Sequence, residues 1–251
     1  MSEHARVLLI TGGGRGIGAA TARLAAARGY RLAINYAANP EAAETLVAEL
    51  QNAGARAVSI RADVADEAQV EHLFAETERR LGPVTGLVNN AGITGRAGRL
   101  DQVSTETVRR VLDVNLLGTL MCARAAVRRM STLHGGKGGA IVNLSSGAAT
   151  LGGPGEWVWY AATKGGIDTF TIGLSREVAR EGIRVNAVQP GLVDTEMHDS
   201  SGIVDRVGKM APSIPIGRAG AAEEVAEAIL FLLSDAASYV TGAILRVAGG
   251  R

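Results

Sequence analysis

The chain has 251 residues, of which 47% are hydrophobic but only 4% aromatic, so its core has to be built from Ala, Val, Leu and Ile, as when helices pack on a parallel sheet. Lys plus Arg number 26 against 25 for Asp plus Glu, with no basic block, which gives no electrostatic footprint for nucleic acid. The single cysteine, Cys122, excludes an internal disulfide and reads as a core residue of a reducing compartment, and no apolar run is long enough to span a membrane.

Short apolar runs alternate with helical patterns along the whole chain. Strands are expected at 7–10, 31–36, 57–60, 86–89, 140–144, 183–188 and 243–247, with a first helix over about 16–29. No basic, apolar leader precedes Val7, so the expected location is the cytoplasm. Seven strands separated by helices predict an α/β chain with a single-domain Rossmann fold over 1–251, a doubly wound seven-stranded parallel sheet with helices on both faces. The glycine tract 135–139 reads as a flexible connection or a plain turn. The segment at about 194–217, with Pro212 and Pro215, is the one long irregular excursion and reads as a substrate-binding lid opened by Glu196, Met197 and His198.

Directly after the first strand comes Thr11-Gly12-Gly13-Gly14-Arg15-Gly16-Ile17-Gly18. Its glycines at 12, 16 and 18 do not follow the common dinucleotide spacing, yet they provide a tight turn, close backbone approach and a helix N-terminus that favours an anion. No Gly-Lys-Ser/Thr follows, so a P-loop is excluded. The second strand ends in Asn35-Tyr36-Ala37-Ala38-Asn39, without the carboxylate that would hold a free ribose 2′-hydroxyl. With Arg15 nearby to pair with a 2′-phosphate, NADP(H) is preferred and NAD(H) remains possible.

Further along, Tyr160 and Lys164 stand four apart, so a helix stacks phenol and ammonium on one face. A tyrosine of pKa ~10 has to titrate about 2 to 3 pH units lower to work near neutrality, roughly 3 to 4 kcal/mol. A unit charge about 4 Å away at an effective dielectric of about 20 supplies roughly 4 kcal/mol. Ser145 and Ser146 end the apolar run just upstream.

Taken with Asp63-Val64, Asn89-Asn90-Ala91-Gly92, Asn115 and Pro190-Gly191, these motifs make the chain resemble the short-chain dehydrogenase/reductase family over essentially its full length, in the style of glucose or polyol dehydrogenases and 3-oxoacyl reductases. The resemblance implies a catalytic set of Asn115, Ser146, Tyr160 and Lys164. It implies a dinucleotide held by Gly12, Arg15, Gly16, Ile17 and Gly18, by Tyr36 and Asn39, by Asp63 and Val64 at the adenine, by Asn89, Ala91 and Gly92, by Tyr160 and Lys164, and by Pro190, Gly191, Val193 and Thr195 at the carboxamide. No metal is implied. The family's serine usually lies thirteen residues before its tyrosine, which here is Gly147, so 156–159 carries one additional residue. Ser146 is assigned to catalysis with Ser145 as the fallback.

The implied activity is NADP(H)-dependent hydride transfer to or from a small carbonyl or secondary alcohol, a sugar, polyol or small ketone. The alternative is 3-oxoacyl-[acyl-carrier-protein] reduction, which acidic Glu156 and Glu181 near the site disfavour. A reading from another class is a non-catalytic dinucleotide-binding sensor or scaffold. Trp157 and Trp159 are expected to wall the pocket, pack, or meet another subunit. The resemblance further implies a homotetramer formed through helices at 104–130 and 157–181 and the last strand. Ala123, Ala125 and Ala126 would permit close helix approach, and Arg124, Arg128 and Arg129 would form a solvated or dipole-complementing face.

Overall fold

The order of the strands places the site before any side chain is considered. The computed structural model describes residues 6–195 and 205–251. Strands β1 (Val7–Ile10), β2 (Arg31–Tyr36), β3 (Ala57–Arg61), β4 (Gly86–Asn89), β5 (Gly139–Leu144), β6 (Ile183–Pro190) and β7 (Ile244–Val247) form one parallel sheet in the order β3-β2-β1-β4-β5-β6-β7. Strand order reverses between β1 and β4, and the crevice beyond the carboxyl ends of these two strands is where ligands bind in open α/β sheets.

The strands are buried on both faces because their side chains alternate between two cores. Leu8, Ile10, Leu32, Ile34, Val88 and Val142 face helices α1 (Gly16–Ala27), α2 (Pro40–Asn52) and α9 (Ala222–Leu233). Val7, Leu9, Ala33, Leu87 and Ile141 face α3 (Glu67–Leu81), α5 (Gly118–Met130) and the end of α7 (Val158–Val178). Ala19, Ala22 and Ala25 of α1 share the first core with Ile229 and Leu230 of α9, and each large aliphatic side chain so buried contributes about 1.5 to 3 kcal/mol.

The helix expected at 104–130 is interrupted. It runs as α4 (Thr105–Leu112), a π-helical turn over Asp113–Leu117 that carries Asn115, and then α5. Close packing accompanies the change: a Cβ on Gly118 would lie 2.8 Å from Val64 Cγ2. Inside the sheet a polar ladder crosses from β4 to α7. Asn89 Nδ2 donates to Asn143 Oδ1 at 2.9 Å, and Asn143 Nδ2 donates to Thr171 Oγ1 at 2.9 Å. Asn89, Asn143 and Thr171 are all buried, so each bond avoids the penalty of an unpaired polar group.

One expectation is corrected. Ala123, Ala125 and Ala126 are fully buried within the protomer and cannot meet another subunit. Arg124 and Arg128 are exposed as expected, Arg128 and Arg129 stand in the last turn of α5 where they complement its dipole, and the three arginines pair with Glu67, Glu71 and Glu78 of α3. Of the two readings of the 135–139 tract, the plain turn holds, with Gly136 N donating to Ser131 O and Gly138 N to Met130 O at 2.9 and 2.7 Å.

The segment at 194–217 contains no strand among its described residues. It holds the short α8 (Arg206–Met210) and a 3-10 turn over Ala211–Ser213, and is tied down where Ile216 N donates to Gly249 O at 3.1 Å. Glu196, Met197 and His198 lie outside the described residues. The remaining helix, α6 (Ala148–Leu151), joins β5 to the loop before α7.

Candidate active site

The glycine turn is held open from below. Thr11 Oγ1 accepts the amides of Asn90 and Ala91 at 3.0 Å each, while Asn90 Nδ2 donates to the carbonyls of Thr11 and Gly12. This crossing of β1 and β4 leaves no room for side chains. Gly12 has φ of +58° and a Cβ there would lie 2.9 Å from Ala91 Cα; one on Gly18 would lie 2.7 Å from Asn90 Nδ2. Helix α1 begins at Gly16 with Arg15 as its N-cap and no side-chain capping bond, so its first amides point to the crevice without an internal anion. A cradle of bare backbone at a helix N-terminus fits a dinucleotide pyrophosphate.

Around the cradle, Arg15 and Asn39 are exposed and Tyr36 is half-buried. Asn35, buried behind the turn, accepts the Gly12 amide at 3.2 Å and donates to Ala62 O at 2.9 Å, so it is a brace. Asn89 likewise braces the sheet. Asp63 is already engaged, by the Ala65 amide at 3.0 Å and Arg110 at 2.7 Å, and Val64 is buried against Gly118.

The second half of the crevice is a cavity of about 330 Å³ whose wall includes Ser146, Tyr160, Lys164, Trp157, Thr195 and Arg206. Ile17, Gly92, Pro190, Gly191 and Val193 border the same space, which joins it to the glycine turn. The Ser146 hydroxyl and the Tyr160 phenol line this same cavity, and the serine hydroxyl lowers the pKa of the phenol. Ser145, on the same cavity wall, is buried and its hydroxyl is engaged, donating to the Lys164 carbonyl at 3.2 Å and locking the strand end to α7. The additional residue at 156–159 is absorbed in the loop between α6 and α7, where Gly153 and Gly155 take φ of +58° and +75°. Ser146 and Tyr160 still share one cavity wall.

Lys164 is buried one turn beyond Tyr160, its Nζ 5.5 Å from the phenol ring centre. Here the electrostatics depart from expectation. Burial holds the Tyr160 phenol above its ordinary value, and the two opposing influences are the Ser146 hydroxyl and the positive charge of Arg206, not Lys164. The ammonium has turned to the Leu144 carbonyl, to which it donates at 2.6 Å. Burial pushes Lys164 itself down to about 8, against the pull of Asp168.

Asn115 is completely buried. Its Oδ1 accepts the Ile93 amide and its Nδ2 donates to the Ile93 carbonyl, both at 2.8 Å, so the side chain is a backbone clamp. It still belongs to the cluster, because a Cβ on Gly92 would lie 3.5 Å from Asn115 Oδ1 and 3.7 Å from Lys164 Nζ. The tryptophans also resolve. Trp159 is packing, buried with its indole N–H donating to Thr94 O at 2.8 Å, whereas Trp157 both packs and faces the cavity.

Comparison with known proteins agrees with this geometry. A family model described as adh_short_C2, Enoyl-(Acyl carrier protein) reductase, matches residues 12–251. The chain is 50% identical over 245 residues to an uncharacterized oxidoreductase, YgfF, of Escherichia coli K12, covering 98% of this chain and 99% of that protein. It is 39% identical to a 3-oxoacyl-[acyl-carrier-protein] reductase of Synechocystis sp., covering 98% and 96%. The chain belongs to the short-chain dehydrogenase/reductase family. As such it is an NAD(P)-dependent oxidoreductase acting on CH–OH groups. A solved structure, a blue fluorescent protein from a metagenomic library in complex with NADPH, superimposes with a TM-score of 0.90 at 36% identity, covering 100% and 99% of the two chains.

Two residues of this dehydrogenase/reductase site were not legible as such in its sequence. Arg206 gives no local signal because only α8 brings it over the cavity. Arg61, opposite Tyr36 in the β2–β3 register and donating to Ala37 O at 3.2 Å, places a guanidinium at the carboxyl end of β2. A search for basic residues at the end of the third strand would have found it. Conversely, Glu181 is not at the site. It accepts from Ser131 Oγ at 2.5 Å just before β6 begins, at the opposite edge of the sheet. The acidic entrance expected from Glu156 and Glu181 therefore reduces to Glu156, which is paired with Arg206.

Proposed function

We propose that this chain is an NADP(H)-dependent reductase or dehydrogenase of a small carbonyl or secondary alcohol, a sugar, polyol or small ketone, working through Ser146, Tyr160, Lys164 and Asn115. The observation that carries the reading is the Ser146–Tyr160 hydroxyl pair at the wall of a cavity continuous with the glycine cradle. The bound dinucleotide supplies or accepts hydride. Ser146 Oγ holds the substrate oxygen, and Tyr160 Oη delivers the proton to it in reduction or takes it in oxidation. Lys164 binds ribose hydroxyls and, once drawn from the Leu144 carbonyl, places its charge beside the phenol. Asn115, by clamping Ile93, keeps Gly92 close to Lys164 and anchors a water that relays protons.

The remaining dinucleotide contacts follow from position. Gly12, Gly16, Ile17 and Gly18 hold the pyrophosphate, Asp63 and Val64 the adenine edge, Ala91 and Gly92 the nicotinamide ribose, and Pro190, Gly191, Val193 and Thr195 the carboxamide, while buried Asn89 braces the sheet beneath them rather than touching the cofactor. For the 2′-phosphate, the absence of any carboxylate from 35–39 leaves Arg15, Tyr36 and Asn39 available, with Arg61 beside them. The NADPH-bound relative supports the same choice. Dissociation constants for NADPH and NADH test it, and tenfold tighter NADH refutes it.

The 3-oxoacyl-[acyl-carrier-protein] reading gains support from the Synechocystis relative. A carbonyl panel assayed with NADPH, including a 3-oxoacyl thioester, separates it from the small-molecule reading. Protein that binds NADPH yet reduces nothing in the panel is the outcome that favours a non-catalytic sensor. Exposed Leu112, Leu117 and Ile172 on the helices around the π turn and on α7, together with the open edge of β7, support a homotetramer, which light scattering tests. Among the described residues no helix is long and apolar enough to cross a membrane, and the cytoplasm is the proposed compartment; fractionation of cells tests that.

A further inference from the structure

The cavity has a charge pattern that hydride transfer to a neutral ketone does not require. Its charged side chains, among the described residues, are Lys164, Arg206 and Arg251 against Glu156. Lys164 serves the phenol and ribose in the reading above. Arg206 is the unexplained one. Its side chain is only 11% exposed, its guanidinium stacks over the Trp157 ring at 4.9 Å, and Nη2 donates to Glu156 Oε2 at 2.8 Å. A guanidinium buried over an indole and fixed by a carboxylate has little rotational freedom, and its planar fork of donors is suited to recognising a carboxylate.

Glu156 is the more exposed partner, at 33%, and lies at the cavity rim. Its carboxylate shows what chemistry the Arg206 seat accepts. At the other end of the same cavity stand the Ser146 hydroxyl and the Tyr160 phenol, close enough to Arg206 for its charge to act on the phenol. A molecule placed between them touches a carbonyl-polarising pair at one end and a cation at the other. The size, about 330 Å³, suits a compound of a few carbons.

The geometry points to a substrate that carries a carboxylate as well as the reacting carbonyl or carbinol: an oxo acid or hydroxy acid whose acid group sits on Arg206, displacing or sharing it with Glu156. This assignment rests on the oxidoreductase reading above and narrows its substrate class. It makes Arg206 a specificity-determining residue and Glu156 an internal competitor for the same guanidinium.

The test uses the NADPH-loaded enzyme with matched pairs: 4-oxopentanoate, 5-oxohexanoate and 4-oxocyclohexanecarboxylate, each beside its neutral primary amide. Binding is read from the fluorescence of Trp157 and Trp159, the two tryptophans of the chain, and turnover from NADPH oxidation. At least one acid is expected to bind and react at least thirtyfold better than its amide. Arg206→Gln should bring that ratio close to one and Arg206→Lys should retain part of it, with circular dichroism confirming that both fold. Glu156→Gln should tighten acid binding at least threefold, the opposite of what loss of a purely structural pair produces.

Equal treatment of acids and amides by the wild-type protein overturns the proposal, as does a Glu156→Gln variant that loses acid binding in parallel with Arg206→Gln. The two readings fail separately. Acid-selective binding without turnover of any ketone sinks hydride transfer and leaves the carboxylate seat, whereas turnover of amides with no preference for acids does the reverse.

Discussion

The two halves of the crevice are built in different ways. Around β1, α1 and β4 the binding surface is backbone, and the side chains beneath it, Thr11, Asn35 and Asn90, have their polar groups satisfied by the turn they support. Across the crevice on α7 the working atoms are side chains, and they are buried at electrostatic expense. Tyr160 is held above its ordinary pKa and Lys164 is driven down to about 8, both chiefly by burial. A cradle of amides is stable when empty; a buried ammonium on a single carbonyl is a group waiting for a better partner. The contrast illustrates how stability is given up where chemistry is performed.

Substitutions can break that contrast or sharpen it. The largest effect is expected from Tyr160→Phe, which removes the proton donor and should cut turnover about 10³-fold or more while leaving NADPH affinity and the folded state intact. A variant keeping a tenth of the rate, measured by NADPH oxidation, contradicts the role. Ser146→Ala should cost about 10²-fold in kcat through the lost hydrogen bond to the substrate oxygen. Ser145→Ala should instead lower stability by about 1 kcal/mol, read by denaturant unfolding, because its partner is the Lys164 carbonyl. If the two serines exchange these phenotypes, the assignment of Ser146 is wrong.

On the backbone side, Gly18→Ala drives a methyl group toward Asn90 Nδ2 and should cost about 1 to 3 kcal/mol of packing, weakening NADPH binding about tenfold or more in a direct titration. The smallest effect separates the halves most cleanly, because it has the opposite sign. An ammonium lowered from 10.5 to about 8 represents about 3 kcal/mol of instability at neutral pH. The unfolded chain keeps that proton up to about 10.5 while the folded chain gives it up near 8, so between these values the unfolded state binds more protons and stability rises with pH. Below about 8 the penalty is present in full. Lys164→Met should therefore raise the unfolding midpoint of the unliganded protein at neutral pH, flatten the rise between pH 8 and 10.5, and abolish turnover; a lowered midpoint at pH 7 speaks against an uncompensated ammonium.

The same division explains what could be read from the chain alone. The seven strands were legible because each is an apolar run closed by a turn residue, and the glycine spacing at 12, 16 and 18 announced the cradle. Ser146, Tyr160 and Lys164 were legible because strand end and helix face fix where they point. The Leu144 carbonyl to which the Lys164 ammonium donates was not legible, since four-residue spacing gives proximity to the phenol and nothing more. Arg206 was invisible for the converse reason. Its position depends on a short helix about forty-five residues away from Tyr160 in sequence. Glu181 was misplaced because sequence proximity to the end of α7 does not distinguish the two rims of a parallel sheet. Cys122 was read correctly as core: it is fully buried and its thiol is pushed up to about 12, which leaves no nucleophile at neutral pH.

The Asn89–Asn143–Thr171 ladder has a bearing on how this scaffold tolerates change. Thr171 sits about three turns along α7 from Tyr160, so the amide rung fixes both the rotation and the axial setting of the helix that carries the reacting hydroxyl. A helix clamped only by aliphatic contacts could slide by a fraction of a turn at small cost, and that movement would swing the phenol out of reach of Ser146. The buried amides thus act as an index mark, setting the aim of a side chain they never touch.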